Sequence, residues 1–169
     1  VNKELDLNFY IMNSHHTVAI GTWEGDKQQS IEYNSSIAVG IDCPRAKLRV
    51  SILLDTIQEY QVRYIFSDEE ISEAVNEAGL IIGARGIAYE GVLQRKPVIV
   101  VGEYGFGGLV TPDTLHEQYN NYFRGKINGI KAEYFSLERL EEEIRRGFAL
   151  TFQELQMMSN QTIRFLHNI

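Results

Sequence analysis

Residues 62–101 constrain the fold more than any other part of the chain, because short apolar segments alternate there with helical patterns. Three of these segments are predicted strands: residues 62–66, 80–82 and 97–101. The last, with the sequence PVIVV, is apolar on both faces, as expected of a strand buried between two layers of helices. This succession predicts an α/β fold: a Rossmann-like, doubly wound, mainly parallel sheet flanked by helices.

Two predicted helices lie within this stretch. The first follows Ser67 and Glu70, which have the spacing of a capping box, and it ends before Gly79. The second covers residues 86–95. Its sheet-facing positions carry small or apolar residues: Ile87, Ala88, Gly91 and Val92.

The rest of the chain extends this pattern without a repeat or a linker, so residues 1–169 are predicted to form a single domain. Further strands are predicted from composition at residues 7–12, 17–23 and 37–41, and a helix begins at Pro44. The chain starts with Val1 rather than Met, which we interpret as a domain excised from a longer protein.

Three helices are predicted after the sheet. The first begins at Thr111, with Pro112 at the first helical position. The second begins near residue 137, and the third begins at the capping box of Thr151 and Glu154.

The composition of the chain argues against several classes of function. The formal net charge is −7, from 16 basic and 23 acidic residues, which argues against nucleic acid as a partner. No apolar run reaches the ~20 residues of a membrane span. The single Cys43 cannot form an internal disulfide, as is typical of a cytoplasmic protein. His15 and His16 are adjacent, so a strand would point them to opposite faces, and no metal site is predicted.

The turn after the strand at 80–82 carries the first group of candidate site residues. Gly83 and Gly86 bracket Arg85 where a helix opens, and Glu90 follows one turn later. A helix N-terminus offers unpaired N–H groups, glycines let a phosphate approach, and a guanidinium adds bidentate donors. This turn is a candidate diphosphate site, with Glu90 placed to accept hydrogen bonds from ribose hydroxyls.

The segment after the strand at 97–101 carries the second group. Its sequence GEYGFGG includes Gly105, Gly107 and Gly108, and the carboxyl ends of neighbouring parallel strands meet at one edge of a sheet. We predict a loop beside the first one. The alternative for both loops is glycine needed for turn geometry alone. The dinucleotide-binding Gly-x-Gly-x-x-Gly pattern, the Walker-type Gly-Lys-Ser/Thr pattern and a nucleophile elbow are absent from the sequence.

Residues 71–112, with EAVNEAGLIIGARGIAYEGVLQRKPVIVVGEYGFGGLVTP within them, resemble the nucleotide-sugar-binding half of GT-B-type glycosyltransferases. In those enzymes a helix leads to a buried strand, a small-residue loop, a helix with a glutamate, a Pro-Val-Ile strand and a glycine-rich loop. The resemblance implies that Glu90 holds the donor ribose. It also implies that the second loop, with Thr111 after it, meets the donor phosphates or sugar.

The sequence departs from that family at two places. Ile82 stands where many retaining members have the earlier of two glutamates, and Thr22 replaces the arginine of an early Gly-Arg loop. Lys27 remains from that loop as a diphosphate contact. Our hypothesis is that Arg85 compensates for the lost arginine.

The resemblance implies a donor-binding domain of a glycosyltransferase that moves a sugar from a nucleoside diphosphate to a glycan or lipid-linked acceptor, as in polysaccharide biosynthesis. The nucleotide-sugar is a substrate, and neither a cofactor nor a metal is implied. An N-terminal acceptor-binding domain is the expected partner, through which any membrane association would occur, and the isolated domain is expected to be weakly active or inactive. The alternatives are half of a sugar-nucleotide 2-epimerase or hydrolase, and a degenerate, non-catalytic α/β interaction module.

Overall fold

The computed structural model describes residues 34–126 and 129–167. Its five strands form one sheet: β1 (Ser36–Gly40), β2 (Gln61–Tyr64), β3 (Leu80–Gly83), β4 (Val98–Gly102) and β5 (Gly105–Leu109). The strand order is β2-β1-β3-β4-β5; β1 to β4 are parallel, and β5 pairs with β4 in the antiparallel sense. The predicted α/β class with a mainly parallel sheet is confirmed. The strands predicted at 7–12 and 17–23 lie outside the described residues.

Helices cover both faces of the sheet. They are α1 (Pro44–Ile57), α2 (Ile71–Glu77), α3 (Gly86–Leu93), α4 (Leu115–Asn120), α5 (Leu137–Phe148) and α6 (Phe152–His167). Within the described ranges no helix is long and apolar enough to cross a membrane.

Alternating side chains of the strands build two cores. Leu80 and Ile82 of β3 pack with α1 and α5 on one face, whereas Ile81 packs with α2, α3, α4 and α6 on the other. This two-sided burial is the physical reason why β3 and β4 are apolar throughout. The sheet-facing residues predicted for α3, from Ile87 to Val92, are buried as expected.

Two predicted helix starts, behind Ser67 and at Thr111, are wrong, whereas those at Pro44, at Gly86, near residue 137 and at the Thr151 capping box are confirmed. The Ser67 side chain caps nothing, because residues 68–70 form a 3-10 turn and α2 begins at Ile71. Pro112 lies in a turn, and α4 begins only at Leu115. At α6, Thr151 Oγ1 accepts a hydrogen bond of 3.1 Å from the backbone of Glu154, whose carboxylate accepts one of 3.2 Å from the backbone of Thr151.

Lys96 is a charged residue inside the fold, just before β4. Its side chain is 1% exposed, and its Nζ donates to the backbone oxygen of Asn76 at 3.1 Å. Burial lowers the pKa of Lys96 from 10.5 to about 8, because the interior disfavours the charged ammonium. The folded chain therefore loses a proton at a lower pH than the unfolded chain does.

We expect the free energy of unfolding to rise with pH above about 8 because of Lys96. Between this pKa and 10.5 the unfolded chain binds more protons, so raising the pH favours the folded state. Burying the charged Lys96 ammonium lowers the free energy of unfolding by about 3 kcal/mol, at about 1.4 kcal/mol per pKa unit. This destabilisation is fully present below pH 8. Urea unfolding between about pH 7 and 9.5, below tyrosine ionisation, measures the rise.

Lys96→Met should remove most of this pH dependence, whereas the same change at the exposed Lys131 should leave it in place. A wild-type stability that stays flat over this range would contradict the effect of burial on Lys96.

Candidate functional site

The order of the strands reverses between β1 and β3, and this is where open α/β sheets leave a crevice at the carboxyl ends of their strands. Gly40, the last residue of β1, pairs with Gly83, the last residue of β3. β2 ends on the other side of β1, and α3 begins at Gly86, three residues beyond Gly83. The carboxyl edge of the sheet is therefore the candidate site.

A crevice of about 450 Å³ lies at this edge, within the range of small-molecule sites. Its apolar walls come from Ile65, Phe66, Ile71 and Ile87. Its polar lining comes from Asp42, Ser67, Asp68 and Arg85, together with the backbone of residues 84–86. We call this cavity the carboxyl-edge crevice.

Arg85 sits in a strained turn between β3 and α3. Its φ of 57° with ψ of −124° is a conformation that side chains rarely adopt, and it costs on the order of 1–3 kcal/mol. The backbone N–H of Arg85 donates to Phe123 at 3.0 Å, which holds the turn in place. Hydrolases use such a sharp strand-to-helix turn to expose a nucleophilic serine, whereas here it exposes a guanidinium.

The two glycines of this turn differ in their surroundings. A Cβ on Gly83 would lie 2.4 Å from the Gly40 oxygen and 2.5 Å from Ile87, so close packing alone requires glycine there. A Cβ on Gly86 would meet only Ile71, at 3.8 Å. Gly86 is exposed, and no side chain in the described part of the sequence caps α3. The first N–H groups of α3 are thus available to an anion.

Arg85 belongs to a charged cluster with Glu103 and Arg124, which we call the arginine–glutamate cluster. Arg85 Nη2 donates to Glu103 Oε1 at 2.6 Å, and Arg124 Nε lies 3.1 Å from the same oxygen. The hydrogen bond from Arg85 lowers the pKa of Glu103, and Arg124 adds to this effect. The same hydrogen bond raises the pKa of Arg85. Arg85 and Glu103 are therefore both charged at neutral pH.

Glu90 lies in the second turn of α3 and is half-buried. Its carboxylate accepts a hydrogen bond of 2.7 Å from Gln94, whose amide also donates to the Ser72 oxygen at 3.3 Å. The structure therefore turns Glu90 toward α2 and does not place it among the residues that line the carboxyl-edge crevice.

The prediction of a second glycine-rich loop is wrong, because most of this segment forms strand β5. Glu103 and Tyr104 form the turn from β4, and Gly105 follows with φ of 121°. A Cβ on Gly107 would lie 2.9 Å from the Gln118 side chain, and Gly108 has φ of 78°. The close approach of neighbouring chain and the positive φ values explain these glycines without a phosphate.

The antiparallel direction of β5 separates the predicted site residues. Gly105 pairs with Gly102 at the carboxyl edge, but Gly108 pairs with Val100. The next residues run toward the opposite edge, where Val110 donates to Val98 at 2.8 Å. Thr111 follows Val110 and is therefore far from Arg85. Lys27 lies outside the described residues.

Three residues of the site were missed in the sequence. Asp42 and Glu103 lie within two residues of the carboxyl ends of the apolar strands β1 and β4, and a polar residue at that position is a signal that could have found them. No local signal indicates Arg124, which a turn with positive φ at Tyr122 and Phe123 brings to the cluster. No group of three or more His, Cys, Asp or Glu residues fit for a metal occurs in the described ranges.

No protein-family model matches this sequence, and a search of curated proteins gives no match. The fold and the site geometry show an α/β chain with a crevice at the carboxyl edge of its sheet, beside an uncapped helix start. Any more specific role is a proposal.

Arg85→Gly is expected to be more stable than Arg85→Ala by about 1 kcal/mol, net of the larger entropy of glycine in the unfolded chain. Both variants lose the ion pair with Glu103, but only glycine adopts a φ of 57° without steric cost. Urea unfolding measures the difference. The same two substitutions at Arg63, in the regular strand β2, should give the opposite order. Equal stabilities at position 85 would show that the turn is not strained.

Proposed function

We propose that this chain is the donor-binding domain of a GT-B-type glycosyltransferase, and that the carboxyl-edge crevice holds the nucleoside diphosphate of the donor. The observation that carries the proposal is the position of the uncapped α3 N-terminus and Arg85 at the strand-order reversal. The resemblance of residues 71–112 to the donor half of these enzymes supports it independently.

The diphosphate is proposed to lie against the first turn of α3. The helix dipole concentrates partial positive charge there, and the guanidinium of Arg85 offers two donors to phosphate oxygens. These local charges act at contact distance, whereas the net charge of −7 is spread over the chain and screened by salt. An anionic ligand is therefore compatible with an acidic protein.

The nucleoside is proposed to occupy the crevice itself. Phe66 is 77% exposed at its rim, which is unusual for a large apolar side chain and suits stacking on a planar base. The family resemblance assigns the ribose to Glu90, which must then release Gln94. Asp42, which already lines the crevice, is the second candidate for the ribose contact.

In sugar transfer the leaving diphosphate gains negative charge as the glycosidic bond breaks. N–H groups of α3 and the Arg85 guanidinium would stabilise that charge where it develops. Acceptor binding and proton transfer would come from the partner domain, so the isolated chain should bind the donor but turn it over poorly. A sugar-nucleotide epimerase or hydrolase would use the same donor contacts.

Titration calorimetry with UDP, GDP, ADP, CMP and their sugar conjugates tests the proposal. One nucleoside diphosphate should bind saturably, and Arg85→Ala should weaken it at least about tenfold, because charge-assisted hydrogen bonds contribute about 1.5–3 kcal/mol. Arg63→Ala is the matched control, since Arg63 is 42% exposed and pairs with Glu77 at 3.0 Å, much as Arg85 pairs with Glu103. Absence of binding by all these ligands would contradict the proposal.

A second comparison identifies the ribose contact. Glu90→Gln is expected to weaken binding of the nucleoside diphosphate several-fold and to leave inorganic pyrophosphate binding unchanged, because pyrophosphate has no hydroxyls to offer. Asp42→Asn removes the same charge at the crevice wall. A larger effect of Asp42→Asn would transfer the ribose contact from Glu90 to Asp42.

A further inference from the structure

The arginine–glutamate cluster already holds an anion, and that anion is part of the protein. Two cations from different parts of the chain converge on one oxygen, Oε1 of Glu103, at 2.6 Å from Arg85 and 3.1 Å from Arg124. Oxygen atoms of phosphates are bound by arginines in the same way. The position of Oε1 is therefore a place where an external anion would receive two charged donors.

The backbone turn that positions Arg124 is strained. Tyr122 and Phe123 both have positive φ, at 57° and 50°. Phe123 is 0% exposed and packs edge-on against Tyr89 at 4.7 Å, so its burial stabilises the turn. Together with Arg85, three of the five described non-glycine residues with positive φ meet here. Backbone strain of this kind concentrates at functional sites.

Two backbone hydrogen bonds tie this turn to both sides of the cluster. Phe123 accepts from the N–H of Arg85 at 3.0 Å, and Arg124 accepts from the N–H of Tyr104 at 2.9 Å. The Arg124 guanidinium also lies 5.7 Å from the Tyr104 ring and 5.5 Å from the Tyr122 ring. The backbone of both arginines and the guanidinium of Arg124 are thus positioned by contacts other than those with Glu103.

The ion pair between Arg124 and Glu103 lacks a well-aligned hydrogen bond. The Nε of Arg124 is buried, and although it lies near Glu103, no acceptor in the described part of the chain makes a hydrogen bond to it. A buried guanidinium nitrogen without a hydrogen bond is costly, so a ligand oxygen placed there would gain more than it would at a satisfied donor.

We propose that Arg124 is a second phosphate-binding residue beside Arg85, and that Glu103 is a resident counter-anion which the ligand displaces. The inference rests on the proposed binding of a diphosphate at the α3 N-terminus and names further residues of that site. With Glu103 turned away, the two guanidiniums and the first N–H groups of α3 face one polyanion. With Glu103 in place, the two arginines are neutralised in part and the site is closed to weaker anions.

Titration calorimetry of the full 169-residue chain tests this with two probes, inorganic pyrophosphate and the nucleoside diphosphate that binds the wild-type chain. Glu103→Gln should bind both about three- to fivefold more tightly, because it removes a competitor worth up to about the strength of an exposed ion pair. Arg124→Lys keeps the charge but loses the Nε donor, and it should bind both more weakly.

Glu77→Gln is the matched control, because it makes the same change of net charge at an exposed glutamate paired to Arg63. It should leave both affinities unchanged, and a tightening equal to that of Glu103→Gln would overturn the inference by showing a general charge effect. An unchanged or weaker affinity in Glu103→Gln, or an unchanged one in Arg124→Lys, would also overturn it.

The results separate this inference from the proposed function. If pyrophosphate binds and responds to Glu103→Gln while no nucleotide binds, the two-arginine site stands and the nucleotide-sugar proposal is wrong. If nucleotides bind and their affinities are unchanged in Glu103→Gln and Arg124→Lys, the nucleotide-sugar proposal stands and the two-arginine site is wrong. If no probe binds either the wild-type chain or Glu103→Gln, both are wrong.

Discussion

The candidate site depends on the close packing of α3 against β1 and β3. Gly40 and Gly83 are paired at the ends of these strands, and a Cβ on either would lie within 2.7 Å of the Ile87 side chain. Ile87 occupies the second position of α3, so this contact fixes where the helix begins. Because it begins at the carboxyl edge, its free N–H groups and Arg85 face the crevice. Larger side chains at Gly40 or Gly83 would lift the helix from the sheet and disperse the site.

The second constraint on the site is the close packing of the Phe123 turn against the β4–β5 hairpin. The turn that contains Phe123 passes so near to the β4–β5 hairpin that a Cβ on Gly102 would lie 2.5 Å from the Arg124 oxygen. The buried Phe123 ring anchors this turn in the core, and the hydrogen bond from Arg85 connects it to α3. Two strained backbone segments thus support each other, which explains how both persist in a folded chain. The result is a backbone frame that positions three charged side chains, Arg85, Glu103 and Arg124.

Much of the fold could be predicted because β3 and β4 are buried on both faces, and such strands are visible as uninterrupted apolar runs. β5 was missed because Gly105, Gly107 and Gly108 have little strand propensity, and its pairing with β4 decides its structure. The Arg85–Gly86 turn could be predicted, since a strand end and a helix start are both local features. Thr111 could not be placed, because its distance from that turn depends on the direction of β5. Arg124 depends on backbone conformations that its own sequence does not indicate.

In the proposed binding mode, Glu103 makes the site selective for polyanions, a selectivity that two arginines alone would lack. In the absence of Glu103, any small anion could occupy the pair, since each contact with an exposed guanidinium is weak but favourable. A carboxylate attached to the protein is always present at high local concentration, so a monovalent anion in solution cannot displace it efficiently. A diphosphate carries several charges, and in the proposed binding mode it would contact the α3 N-terminus and both guanidiniums at once. Discrimination between a polyanion and the abundant small anions thus follows from placing one carboxylate between two cations, without a pocket shaped for phosphate.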